Sequence, residues 1–349
     1  MLKRQSIIEY GAPLAATEAE LPQPRGREVL LRVGHCGVCH SDLHLQDGHF
    51  DLGGGRQLDV TGGRALPFTL GHEIEGTVAA IGDAVEGVAV GERHVVYPWI
   101  GCGTCPTCAA GDEHLCDRPR ALGITVDGGY ASHVLVPDPR YLIDFGDADP
   151  GLAGTYMCSG LTAFSAVRKL GDLARRGPAL IVGLGGVGMM GVQFARALTG
   201  VAPYVADIDP AKREAAMALG AAGAFDPAAI DARKAFLKAT GGVYGAIDFA
   251  GTSGSVDFAT GGLKKGGKAV IVGLIGGTFQ MPVAMFPLRA IAIEGSYVGS
   301  LAEAREMMEI VRAGRVAPIP LAARPLEDAN EVLDALRGGR IVGRVVLEP

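Results

Sequence analysis

Apolar and polar positions along this chain fall into two rhythms. Up to about residue 155, short apolar runs at 29–33, 76–81 and 94–97 are separated by clusters of Gly, Pro and Asp. That pattern predicts a β-rich, barrel-like unit with many turns. From residue 161 onward, runs of strand character (179–182, 204–206, 246–249, 269–272, 291–293) alternate with stretches of helical period (187–199 and 211–219). Alternation of that kind predicts a parallel sheet wound with helices on both faces. The tail predicts helices over 302–313 and 326–336 and a last strand over 341–347, with no internal repeat.

Composition narrows the class. A chain of 349 residues is long enough for about two globular domains, and 48% hydrophobic with 20% charged residues excludes disorder as its main state. Its 53 glycines show no triplet period and sit among apolar runs, so they imply tight turns and close backbone approaches instead of a fibrous or low-complexity chain. A net charge of −6 without a basic stripe argues against nucleic acid and anionic lipid as partners. The longest apolar stretch, 179–195, is crowded with glycine, contains Gln193 and runs into Arg196, and no leader-like segment opens the chain. The expectation is a soluble, cytoplasmic protein.

Gly183-Leu184-Gly185-Gly186-Val187-Gly188 follows a buried strand run and opens a helical one, the setting in which a GxGxxG pattern signals a dinucleotide. The first glycine permits the turn, the second lets the backbone approach a pyrophosphate, and the third allows close helix-to-strand packing; free amides at the helix start complete the anion site. The next strand run ends in Asp207, where a carboxylate accepts the adenosine ribose hydroxyls and repels a 2′-phosphate, favouring NAD over NADP. Asp209 competes for that role, but it directly precedes Pro210 and a helical run, which suits an N-cap.

Four of the seven cysteines, Cys102, Cys105, Cys108 and Cys116, lie close together. Four thiolates on one short lobe (about 98–118) close a tetrahedral zinc site with no position for water, which makes it structural; an iron–sulfur cluster is the rival, and a disulfide framework the poorer reading. A second set is dispersed: Cys39, His72 and Cys158. Two thiolates and an imidazole make a zinc site with an open position, although each residue alone reads as core packing.

Taken jointly, Gly37 to His44, Gly71-His72-Glu73, the four-cysteine lobe, Cys158-Ser-Gly, Gly183 to Gly188, Gly295-Ser-Tyr-Val-Gly299 and Ile341-Val-Gly-Arg344 resemble the zinc-dependent medium-chain alcohol dehydrogenases over essentially the whole chain, in the style of the shorter microbial type. The resemblance implies an α/β architecture: a GroES-like β-rich catalytic domain (1–159 and 298–349) plus a Rossmann doubly wound parallel-sheet domain (160–297). It implies Cys39, His72 and Cys158 as catalytic zinc ligands, Glu73 as a carboxylate near the metal, Asp42 as the partner that orients His72, and Ser41 and His44 as a proton relay. It also implies that His40 and Arg344 face the pyrophosphate, that Val187 and Thr162 lie near the nicotinamide and that Trp99 borders the substrate; Gly186 and Lys212 are grouped with the cofactor residues. Two zincs per chain, NAD, a small alcohol or carbonyl substrate and a homodimer or homotetramer complete the expectation. A polyol, threonine-type or hydrated-aldehyde dehydrogenase on the same fold is the alternative, and a non-catalytic NAD(P)H-binding protein a distant one.

The stretch 47–64 is longer than in the short microbial type. Tied at both ends to the catalytic centre, it is expected to border the substrate entrance, with Phe50, Leu52 and Leu58 covering a bulky cyclic or aromatic alcohol. A plain exposed insertion is the other reading. Cys36 is read as a small buried residue, and no role falls to His35.

Overall fold

The computed structural model describes residues 1–349. Its first half and its last thirty residues build one sheet, in the order Leu142–Ile143, Arg93–Val96, Glu73–Ile81, Val29–Gly37, Arg344–Glu348, Leu321–Pro325, with His133–Val136 also paired to Val29–Gly37. The middle strand Val29–Gly37 is buried along most of its length because it has neighbours on both sides, and a three-stranded sheet of Leu2–Ile7, Ala15–Ala19 and Phe68–Thr69 packs nearby. The last strand lies antiparallel to the middle one, pairing Val346 with Gly37 and Leu347 with Cys36. That pairing carries the C-terminal residues to the loop that holds Cys39.

This strand begins at Arg344, three residues later than the apolar pattern suggests. Gly343 breaks the run: its φ of +84° and its seat against Pro320, whose carbonyl oxygen would lie 2.1 Å from a Cβ there, make a turn that only glycine fits.

The second sheet is wholly parallel, in the order Gly223–Phe225, Tyr204–Ala206, Leu180–Val182, Val243–Asp248, Leu263–Ile271, Ala292–Gly295. Counted within this unit the order is 3-2-1-4-5-6, so the direction of winding reverses between Leu180–Val182 and Val243–Asp248 and opens a crevice at their carboxyl ends. The helix Gly186–Thr199 buries Met189, Met190, Val192 and Phe194 on the sheet, and Phe194 meets Phe164 edge to face, with ring centroids 5.6 Å apart. Phe164 belongs to the helix Ser159–Lys169, which is buried from Ser159 to Val167 and lies in the main core shared by the two sheets, while a smaller cluster around Phe236 and Phe258 packs separately in the parallel-sheet unit. Burial of an aromatic ring of this size stabilises the fold by about 3 kcal/mol.

The chain recrosses between the sheets at residues 296–300. Val298 there has φ +37°, a costly conformation for a β-branched residue, and Tyr97 Oη donates a 2.9 Å hydrogen bond to the Gly299 carbonyl that holds the crossing in place.

The long stretch after His44 is ordered. His49–Gly53 and Arg56–Asp59 form a two-stranded hairpin turned by Gly53, Gly54 and Gly55, all with positive φ. Leu52 and Leu58 point to solvent, and neither they nor Phe50 line the large cleft. The expected apolar cover over the substrate is therefore absent; the hairpin instead rests on the parallel-sheet unit, where Gly53 abuts the backbone of Gly277.

Candidate active site

A cleft of about 690 Å³ runs between the two units. It is lined on one side by Cys39, His40, Ser41, His44, Trp99 and Cys158, and on the other by the glycine loop 183–188, Asp207 and Lys212; Thr162, Val187 and Arg344 also face it. Every one of these positions was expected at the site from the sequence.

At its floor, Cys39, His72 and Cys158 bring one ligand atom each within 4.8 Å of one another, all buried. Cys39 stands just before the helix His40–Asp47, and Cys158 just before Ser159–Lys169, so helix starts aim both thiols. Asp42 closes the first turn by accepting the Cys39 amide at 2.9 Å, accepts Tyr130 Oη at 2.9 Å, and turns its other oxygen toward His72 Nδ1 at 3.4 Å. Neither that oxygen nor His72 Nδ1 has another partner, so the carboxylate is placed to orient the imidazole. His72 Nε2 is buried without a hydrogen-bond partner, a costly state that a metal ion in this pocket relieves. The chemistry of the set agrees. The Cys39 thiol is held well below its ordinary pKa, first by the Cys158 thiol and then, against burial, by His72; Asp42 and Cys39 overcome burial to raise His72 well above its own. Cys158, through Cys39 and burial, is pushed up instead, so the set pairs one thiolate with groups that draw in positive charge, and its donors suit zinc.

Glu73 lies behind this floor. Its carboxylate accepts the Ser159 amide at 3.2 Å and pairs with Arg344, while burial pushes its pKa up to about 7 against the pull of that arginine. Arg344 in turn packs on Gly186, where a Cβ would lie 2.3 Å from Cδ of the arginine, and its buried Nε has no partner. One guanidinium thus spans the carboxylate behind the metal pocket and the start of the helix Gly186–Thr199, with a spare donor for an anion.

The glycine loop meets its steric demands. A Cβ on Gly188 would fall 1.9 Å from the Gly183 carbonyl oxygen, and Gly183 has φ +84°, whereas a Cβ on Gly185 would meet nothing within 4 Å. The backbone is bare where a pyrophosphate needs to approach it. Asp207 receives the Leu184 amide on Oδ2 at 2.6 Å and the Asp209 amide on Oδ1 at 2.8 Å, which leaves one further acceptor position on each oxygen. Asp209 accepts the Ala211 amide at 2.8 Å with Pro210 at the first helical position, as an N-cap does.

Cys102, Cys105, Cys108 and Cys116 gather on their lobe, with sulfur–sulfur distances of 3.5 Å between Cys105 and Cys108 and 3.8 Å between Cys105 and Cys116. Backbone amides of Cys102 and Arg118 donate to the Cys116 sulfur, that of Cys108 donates to Cys105, and hydrogen bonds from Thr104 bring Cys102 down to about 5. Four sulfurs with amide support fit a closed zinc site.

Among the cleft residues that sequence reasoning did not assign are Tyr297, Leu274 and Ile275. Tyr297 meets Trp99 edge to face at 5.7 Å, Trp99 meets His72 at 5.4 Å, and Trp99 is fixed by donating to the Met157 carbonyl at 2.8 Å. Tyr297 lies inside a stretch that is informative as a motif, but its direction depends on the strained turn at Val298. Cys36 is buried and apart from either cysteine set, and His35 Nδ1 donates to the Glu75 carboxylate at 2.8 Å.

The comparisons with known proteins agree with this geometry. A family model for the alcohol dehydrogenase GroES-like domain matches residues 25–146, and one for zinc-binding dehydrogenases matches residues 186–313. The NAD-dependent alcohol dehydrogenase of Saccharolobus solfataricus is 38% identical, with 98% of this chain and 99% of that protein covered. Among solved structures, the alcohol dehydrogenase from Aeropyrum pernix superposes with a TM-score of 0.88 at 31% identity, covering 99% of this chain and 100% of the other. The acetophenone reductase from Geotrichum candidum, solved with NAD, gives 0.85 at 27% identity, covering 100% and 97%. With two cysteine-based pockets, a dinucleotide loop and full-length likeness in hand, the chain belongs to the zinc-dependent medium-chain alcohol dehydrogenase family.

Proposed function

We propose that this protein is an alcohol dehydrogenase that oxidises a primary or secondary alcohol reversibly to the aldehyde or ketone, using NAD and two zinc ions per chain. The observation that carries the reading is that one cleft holds both the Cys39, His72 and Cys158 pocket and the glycine loop 183–188. Cys39, His72 and Cys158 would hold a zinc ion, which would supply a Lewis acid that lowers the pKa of the alcohol, and NAD would supply the hydride acceptor. The chain's own residues do the rest. Ser41, beside Cys39 in the cleft, takes the alcohol proton, and His44, one helical turn further on, hands it to solvent. Asp42 keeps His72 in orientation; Asp207 accepts the ribose hydroxyls, with Lys212 close by; Arg344 and His40 hold the pyrophosphate against the loop. We read residues 1–159 and 298–349 as the catalytic unit and 160–297 as the dinucleotide unit. Cys102, Cys105, Cys108 and Cys116 hold the second zinc, which is structural.

Trp99 and Tyr297 form an apolar wall beside His72, and Val298, Leu274 and Ile275 add apolar surface elsewhere in the cleft. Such a wall supports an apolar, bulky alcohol over a polyol, which needs paired hydroxyl partners. The unpaired edge strand Ala292–Gly295 and the exposed Val283 and Leu288 beside it support association of identical chains as dimer or tetramer. No helix is long and apolar enough to cross a membrane, and seven free cysteines suit a reducing cytoplasm. NADH absorbance over a panel of aliphatic, cyclic and benzylic alcohols and polyols, with and without a zinc chelator, tests the reading. It requires chelator-sensitive turnover and a preference for the cyclic or benzylic members; turnover indifferent to zinc, or a preference for polyols, overturns it.

A further inference from the structure

The hairpin after His44 is attached to two things at once. At its near end the Phe50 ring lies over the His44 imidazole, with ring centroids 4.4 Å apart and planes 28° from parallel. At its far end it meets the dinucleotide unit. A Cβ on Gly53 would sit 2.6 Å from the Gly277 carbonyl carbon, and one on Gly276 would sit 2.5 Å from the Asp51 carbonyl oxygen, so the backbones touch with no room for a side chain on either. Gly277 in turn is packed on Ser253, at the start of the helix Ser253–Gly261, and the neighbouring Leu274 and Ile275 line the cleft.

We propose that Phe50 is a positioning residue for His44, and that the hairpin ties the orientation and dryness of that imidazole to the seating of the dinucleotide unit. The inference rests on the reading of His44 as the outer base of the proton relay. Three features make the link mechanical. The strands are short, so the ring of Phe50 and the turn at Gly53 move together. The helix end from which the hairpin springs is fixed, because Asp47 is gripped by both terminal nitrogens of Arg337 at 2.7 and 2.9 Å, leaving the strands beyond it as the adjustable contact on His44. And an aromatic face over an imidazole removes water from one side of it while its π cloud attracts the imidazolium, so the ring couples directly to the proton affinity of His44.

The groups facing His44 are His40, Asp47 and Cys39 from its own helix and cap, His49 from the hairpin, and Arg337 through its hold on Asp47. Their charges oppose one another: His40 and His49 lower the His44 pKa while Asp47 and Cys39 raise it, and burial, the largest influence, leaves it below its ordinary value. Removing the ring alters both that burial and the attraction of its face for the charged imidazole, so the His44 pKa is expected to move.

The test compares Phe50→Ala, Phe50→Tyr, His44→Gln, Gly53→Ala and Gly54→Ala in the full chain loaded with zinc. His44 is titrated by NMR of its ring Cε1 proton, identified among the eight histidines by its loss in His44→Gln, and the pH profile of kcat/KM is recorded beside it. Phe50→Ala is expected to shift the His44 pKa by about half a unit or more, to move the acid limb of the profile with it, and to lower kcat several-fold with KM for the alcohol unchanged. Phe50→Tyr restores all three. Gly53 and Gly54 have similar positive φ (+77° and +63°), yet only a Cβ at Gly53 strikes the opposite unit, the one at Gly54 meeting nothing within 4 Å. Gly53→Ala is thus expected to shift His44 in the same direction as Phe50→Ala, and Gly54→Ala to leave it in place. If His44→Gln reshapes the profile while Phe50→Ala leaves titration and rate untouched, the positioning role is overturned and the relay stands. If His44→Gln leaves the profile as it was, the relay reading falls and this inference with it. Equal behaviour of Gly53→Ala and Gly54→Ala overturns the tie across the cleft.

Discussion

Replacing Asp207 by Asn removes one negative charge at the point where the two nicotinamide cofactors differ, and the surroundings of that carboxylate set the size of the effect. Its oxygens hold the amides of Leu184 and Asp209 and keep one acceptor position each for the ribose hydroxyls. A 2′-phosphate brought to the same place meets like charge; at about 4 Å and an effective dielectric of about 20 the repulsion is about 4 kcal/mol. Cleft water and two neighbouring cations reduce it. Arg213 donates to the Asp207 carbonyl at 2.6 Å and lies 3.7 Å from Asp226, and Lys212 lines the cleft 4.0 Å from Asp209. What survives needs to be only about 1.4 kcal/mol to give the tenfold preference for NAD that we expect. In Asp207→Asn the repulsion is gone while Lys212 and Arg213 remain, so the ratio of kcat/KM for NAD over NADP is expected to fall at least about tenfold, through a gain with NADP as well as a loss with NAD. Steady-state kinetics with both cofactors at saturating alcohol measures it. A ratio unchanged by the substitution would remove Asp207 from the ribose site.

Three further outcomes are expected. His44→Gln slows alcohol oxidation more at about pH 7 than at about pH 9, where hydroxide takes the proton directly, and Ser41→Ala is worse at both; equal slowing by His44→Gln at the two pH values refutes its place in the relay. Tyr97→Phe leaves the Gly299 carbonyl without its donor and costs about 1–2 kcal/mol, seen as a fall of a few degrees in the thermal midpoint; no fall contradicts a fixed crossing. The hydrogen bond to Glu75 raises the pKa of His35 above its ordinary 6.5, so its stabilising contribution is complete below that value and is lost as pH rises through the elevated one; melting across this window should decline less in His35→Asn than in the unmodified protein, and identical declines refute it.

What the sequence disclosed and what it withheld follow from the range of the contacts involved. The glycine loop and the Asp209 cap were legible because their demands are local: a turn, a close approach, an amide two residues on. The four-cysteine lobe was legible from spacing alone. Cys39, His72 and Cys158 were not, since residues so far apart become a pocket only through the pairing of Val29–Gly37 with Glu73–Ile81 and the arrival of the helix Ser159–Lys169, and only the resemblance joined them. The link from Glu73 to Arg344 spans 271 positions and arises because the last strand docks beside Gly37. Nothing in 47–64 alternates strongly enough to announce a hairpin, and its apolar residues misled: Phe50 packs on His44 instead of facing substrate. Tyr297 was hidden for another reason, the positive φ of Val298, which no pattern of residue types encodes.

Counting metal against activity in three proteins tests most directly whether the two cysteine pockets hold zinc with unequal roles. The unmodified chain is expected to hold two zincs and turn over alcohol. Cys39→Ser should stay folded with one zinc and no turnover, whereas Cys105→Ser should lose stability through its lobe while its catalytic pocket keeps its ligands. Full activity in protein that carries no zinc, or in Cys39→Ser, would contradict the claim.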